Sequence, residues 1–340
     1  MSRLRTTSSR RVTRLRGAAL AAAALVGLAA CAGSPPQPDP PPPPAIAPAA
    51  LTVAQSDRVL DSLGDVLAAA DGALDAAALA PRVEGPALAM RSAEYVRSTA
   101  TAGAKPPTVL PAVALTSVVP QTTQWPRTQL VVTEQPEDLQ APRILVLRQD
   151  EPRAPYRMWG WARLLPGTQM PPTAPADEGS EVLEPDDDSL SVAPQDVLPQ
   201  FADLLAKGDG SMYKETFAES AYQTEIEDLR TQASAGIGTA GSAASTYTPS
   251  GDESALRTVD GGAIVVGDLT VVSTITISAA GATIPITDPF YAAISGATSA
   301  THSFVRTYTS IVTFYVPPAG SDAPLQVLAA ELVLTAASAT

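Results

Sequence analysis

The sequence predicts an α+β protein of two domains, in each of which N-terminal helices pack on a curved antiparallel sheet. Three observations predict it. Apolar residues recur at spacings of three and four within 52–74 and again within 198–229, the period of a helix with one buried face. They then alternate in short runs across 113–165 and 263–335, the period of half-buried strands. Between these blocks, residues 166–195 are crowded with proline and acidic side chains, which marks a boundary. The expected domains are therefore 51–165 and 196–340. With 33 prolines in 340 residues the cores should be small and the connections long.

Residues 1–30 have the composition of an export signal. Six arginines and no acidic residue precede an apolar run over 18–30. That run is too short to cross about 30 Å of hydrocarbon, which takes about 20 residues. Its end, Leu28-Ala29-Ala30-Cys31, resembles the lipobox of bacterial lipoproteins. The resemblance implies cleavage before Cys31, diacylglycerol on its thiol and an address on the extracytoplasmic face of the cell membrane. Two acyl chains anchor stably where one does not. Ser9-Arg10-Arg11 resembles the start of a twin-arginine signal, but Thr13 and Arg14 stand where that pattern prefers apolar residues. Both export routes stay open, with the general secretory one favoured. Residues 31–50, with Pro40 to Pro44 in a run, read as an extended polyproline spacer.

Removing the leader changes the electrostatics. The chain as a whole carries −13, but the six leader arginines leave 16 basic against 35 acidic groups, a net of −19. Such a field repels nucleic acid and anionic lipid headgroups and so argues against binding either through a basic surface. One cysteine permits no internal disulfide, so the fold must rest on its core.

Within 51–165, Thr52 with Gln55 forms a capping box. Val59, Leu60, Leu63, Val66, Leu67, Ala70 and Leu74 follow on one stripe, so a helix should run to about Asp71-Gly72. A short helical run, Leu74 to Ala80, leads to Pro81 and a turn at Gly85-Pro86. Strands are predicted at 113–119, 128–133, 143–148 and 156–165.

Residues 166–195 read as a solvated tether, because the acidic cluster from Asp177 to Asp188 offers little to bury. Calcium binding by that cluster lacks the alternating ligands and turn glycine it needs. Beyond it, Leu198, Phe201, Leu204 and Leu205 predict one helix, and Ala218, Tyr222, Ile226 and Leu229 another. A flexible Gly/Ala/Ser stretch is expected over 233–245, then strands at 263–278, 283–287, 303–316 and 326–335. Helices followed by a long curved sheet resemble the nuclear transport factor 2-like and cystatin-like folds over roughly 51–165 and 196–338. The whole layout resembles an uncharacterised actinobacterial lipoprotein family. The resemblance implies a fold and leaves function open, since such sheets serve enzymes, carriers and adaptors alike.

No catalytic or metal site and no cofactor is expected. His302 is the only histidine, so a histidine-activated nucleophile has no other base, and Asp260 or Asp288 would have to meet it. Gly208-Asp209-Gly210, Gly236-Ile237-Gly238 and Gly261-Gly262 lack the context of a phosphate cradle and read as turns. The candidate ligand surface is Arg157, Trp159, Trp161 and Arg163, which alternate along one strand and so should share a face where rings and guanidinium groups can stack on a ligand. The competing reading places both tryptophans in the core. The chain is thus expected to be a non-enzymatic envelope lipoprotein that meets the membrane through its lipid and binds an envelope protein or a small ligand. The alternatives are an enzyme using carboxylates such as Glu225 with Asp228 or Asp186 with Asp188, and a solute-binding lipoprotein of a transporter.

Overall fold

A computed structural model describes residues 46–340; the leader, the lipobox with Cys31 and most of the proline spacer lie outside the described residues. The fold is α+β, as the sequence predicts, with helices preceding antiparallel strands in each half. Helix α1 spans Val53–Ala73 and opens with the expected capping box: Thr52 N–H donates to Gln55 Oε1 at 2.8 Å and Gln55 N–H to Thr52 Oγ1 at 3.3 Å. Its stripe of Leu60, Leu63, Leu67 and Ala70 is buried. Helix α2, Gly85–Ala100, is an element the periodicity did not reveal. Its buried face contains Arg91 and Glu94 as well as Ala87 and Met90, so the apolar stripe is interrupted.

Strands β1 (Ala114–Val118), β2 (Pro120–Gln121), β3 (Arg127–Thr133), β4 (Arg143–Gln149), β5 (Arg157–Leu164) and β6 (Ser180–Glu181) follow. Helices α3 (Pro194–Lys207) and α4 (Ala221–Ile237) come next. Then come β7 (Gly241–Pro249), β8 (Ser254–Arg257), β9 (Ala263–Ile277) and β10 (Ile284–Pro285). The chain ends with α5 (Pro289–Ser295), β11 (Ser299–Ala300), β12 (Ser303–Val316) and β13 (Gln326–Ala339).

The two-domain expectation gives way to one compact unit over 46–340, because a single antiparallel sheet runs through both halves. Its order is β1-β3-β4-β5-β13-β12-β9-β7, and β8 also pairs with β9. The halves are joined by only two residue pairs, Ala329 with Leu164 and Ala330 with Arg163. Side-chain packing completes the union. Gly160 on β5 leaves its missing Cβ position to Ile311 on β12, whose Cδ1 would stand 2.9 Å from it. Successive residues of the C-terminal strands serve two cores, one on each face. Ile264, Val266 and Ile311 join the core of α1 and α2, while Ala263, Val265 and Val312 join that of α3 and α4. In the latter, Phe201 packs edge-on against Phe314 with centroids 5.0 Å apart and tilted on Phe217 at 5.1 Å.

Two further expectations are corrected. Residues 166–195 are no solvated tether: Leu183 and Leu190 are buried in the second core, and Ser180 pairs with Pro120. The apolar residues fix the segment, while Asp186 and Asp188 stay exposed. The stretch 233–245 is likewise ordered, its first part closing α4 and its last forming β7 against β9. Small residues suit this strand because its neighbour's backbone comes close: a Cβ on Gly241 would lie 1.9 Å from the Thr276 carbonyl oxygen.

Candidate functional site

The candidate ligand surface on β5 does not form. Trp159 is 6% exposed and Trp161 fully buried, both in the first core. The strand is covered on both faces, since Met158 and Ala162 are buried as well, and a bulge breaks the alternation: Val146 faces Gly160 while Leu147 faces Met158, so Trp159 is an extra residue. Arg157 is held by Glu84 at 3.0 Å. Arg163 sits opposite Arg143 across β4 and β5, near the partly buried Glu331 on β13. Burial pushes the Glu331 carboxyl up to about 7, against the opposing pull of those two guanidinium groups.

The carboxylate and histidine pairings do not form either. His302 is exposed and its ring touches Thr301 Oγ1 at 2.9 Å. Asp260 instead accepts from the hydroxyls of Thr258 and Tyr315, and Asp288 caps α5. Glu225 and Asp228 are exposed on α4. Among the described residues no group of three or more His, Cys, Asp or Glu could hold a metal ion, and no helix is long and apolar enough to cross a membrane.

A different constellation assembles at the end of the β3-β4-β5 meander. There an open pocket of about 590 Å³ is lined by Arg58 and Gln55 from α1, Arg82, Arg127, Gln149, Arg153 and Tyr156, with Ala50 and Leu51 at its edge. Each arginine arrives by a different route. Arg58 lies on the exposed first turns of α1, beside the Gln55 of the capping box. Arg82 follows the short 3-10 turn Ala76–Leu79, and its Nη1 donates to the Tyr156 carbonyl at 3.2 Å. Arg127 opens β3, stacks on the Trp125 ring at 3.9 Å and donates from Nε to the Gln124 carbonyl at 3.2 Å. Gln149 ties the floor together, accepting from Trp125 Nε1 at 3.0 Å and donating to the Ala154 carbonyl at 2.7 Å.

Arg153 is held at a place that favours another residue. Ala154 N–H donates to the Glu151 carbonyl at 3.2 Å, closing a turn with Pro152 first and Arg153 second at its centre. Arg153 has φ of 69°, the left-handed conformation that such a turn requires and glycine adopts most easily. A side chain kept there costs about 1–2 kcal/mol.

The electrostatics of this pocket run against those of the molecule. No Asp or Glu lines it. Nine of the 16 basic residues beyond Cys31 make ion pairs among the described residues, and none of the four pocket arginines is among them. Tyr156 is 4% exposed, and its hydroxyl finds no hydrogen-bond partner among the described residues. Burial pushes that hydroxyl up to about 12 despite the neighbouring Arg127, so it remains a donor. The pocket thus presents fixed positive charge with no carboxylate in its lining. Nothing in the sequence grouped these residues, since Arg58 and Arg153 are far apart in the chain with no motif between them.

No curated protein and no solved structure is detectably similar to the chain. A family model described as a domain of unknown function, DUF8094, matches residues 47–339, nearly the whole of the described unit and both of its helix-and-strand halves. The chain therefore belongs to the DUF8094 family.

Proposed function

We propose that this protein is a lipid-anchored, extracytoplasmic binding protein that takes a small ligand into the pocket beside α1 and β3. The observation that carries the binding reading is the pocket itself. Four arginines without carboxylate partners line it, two of them on stacked or hydrogen-bonded supports, and such preorganised donors suit recognition. Its lining holds no His, Cys, Asp or Glu to act as nucleophile or as a base near neutral pH. The address is supported by the basic leader, the apolar run and Leu28-Ala29-Ala30-Cys31.

Labelled palmitate fed to cells tests the address. The wild type should carry label and fractionate with membranes, and a Cys31→Ala form should lose both. Unlabelled wild-type protein, or a Cys31→Ala form that stays on the membrane, refutes the anchor.

A further inference from the structure

We infer that the arginine-lined pocket binds a phosphate group of charge two or more, carried by a phospholipid headgroup or by a soluble phosphate ester. The inference deepens the binding reading and rests on it, but not on the lipid anchor. Guanidinium groups remain charged at all physiological pH, so four of them beside one another need external negative charge. Nine basic residues elsewhere on this acidic chain find such charge, as the ion pairs of Arg148 with Asp150 at 2.7 Å and Arg257 with Glu181 at 2.6 Å show. At this pocket the lining supplies none.

The chemistry selects phosphate over a single carboxylate. A monocarboxylate neutralises one guanidinium and offers two oxygens. A phosphate monoester carries about −1.5 to −2 at neutral pH and three strong acceptor oxygens, and arginine forks match its geometry in pairs. Supports hold two of the donors before any ligand arrives: Arg127 lies on Trp125 and Arg82 on the Tyr156 carbonyl. Ala50 and Leu51, at the start of the folded unit, are among the pocket's lining residues.

The test uses the chain as the cell processes it, purified in detergent and titrated calorimetrically with pyrophosphate, dihexanoyl phosphatidic acid, dihexanoyl phosphatidylcholine and acetate. Pyrophosphate or phosphatidic acid should bind, weakening as salt is raised, and acetate and phosphatidylcholine should not. Arg127→Gln and Arg153→Gln should each weaken binding about tenfold or more, the scale of one charged hydrogen bond. Arg58→Gln, on an exposed helical turn where folding is not at stake, should weaken it in the same direction, and Arg230→Gln on α4 should leave it unchanged. Tighter binding of phosphatidic acid than of pyrophosphate assigns the lipid source, and the reverse assigns the soluble one. No binding of either, or binding indifferent to the pocket substitutions, overturns the inference. Loss of palmitate labelling would refute the anchor alone and leave this result standing.

Discussion

Replacing Arg91 by methionine is expected to be among the most damaging single changes outside the aromatic core. Arg91 lies on α2 with its side chain 1% exposed. Its Nε donates to Asp71 Oδ1 of α1 at 2.9 Å, and its Nη2 pairs with the other carboxylate oxygen. Nη1 reaches Glu94 at 2.8 Å and the Thr108 carbonyl at 2.6 Å. Glu94 is itself 1% exposed, and its remaining ionic partner is Arg97 at 3.1 Å. One guanidinium thus fastens α1, α2 and the segment leading to β1. Its removal leaves a buried carboxylate with reduced compensation, a situation that costs about 3–5 kcal/mol. That is a large part of a total stability on the order of 5–15 kcal/mol. Urea unfolding followed by circular dichroism measures the loss as a lower midpoint at constant slope. The combined Asp71→Asn, Arg91→Met, Glu94→Gln protein should recover most of it, because the charges left stranded by the single change are gone. A loss below about 1 kcal/mol for Arg91→Met, or a triple variant no better than the single one, would refute the account of a mutually dependent buried network.

Two further perturbations test the sheet that unites the halves. The Glu331 carboxyl is raised from its ordinary 4.5 to about 7 by burial, so the folded state holds its proton more tightly than the unfolded chain does. Its contribution is fully present below about pH 4.5 and is lost as pH rises through 7, a change of up to about 3 kcal/mol. Glu331→Gln should flatten that part of the stability profile and help most at pH 8; parallel wild-type and variant profiles between pH 4.5 and 7 would sink this reading. Gly160→Val adds a side chain where Ile311 already packs, at 2.9 Å from the missing Cβ position, and should cost about 1–3 kcal/mol. Ile311→Ala in the same protein should return part of it, and strictly additive losses would mean that β5 and β12 do not press on each other there.

The legible parts of the fold were those whose local chemistry and tertiary role agree. The capping box at Thr52 and the stripe from Leu60 to Ala70 located α1, and strict alternation gave 303–316 its bounds as a strand. Helix α2 was hidden because Arg91 and Glu94 interrupt its buried face, and a polar buried face is readable only once Asp71 and Thr108 are seen beside it. The strand at 241–249 was hidden by its small residues, which read as a flexible tether, and at Gly241 a close neighbouring backbone leaves no room for a side chain. On β5 the alternation was read correctly as a strand, but packing covers both of its faces, so the tryptophans lie in the core and the expected surface is absent.

By itself the sequence determined the fold class, the helices with uninterrupted stripes, most strand positions and the acidic balance, since all of these are set by neighbours a few residues apart or by composition. Tertiary structure alone decided that the two halves share one sheet and that Arg58, Arg82, Arg127 and Arg153 meet in one pocket. The reason is that pairing between β5 and β13, and convergence of four separate turns, depend on contacts between distant segments. Such contacts leave no period or spacing in the chain.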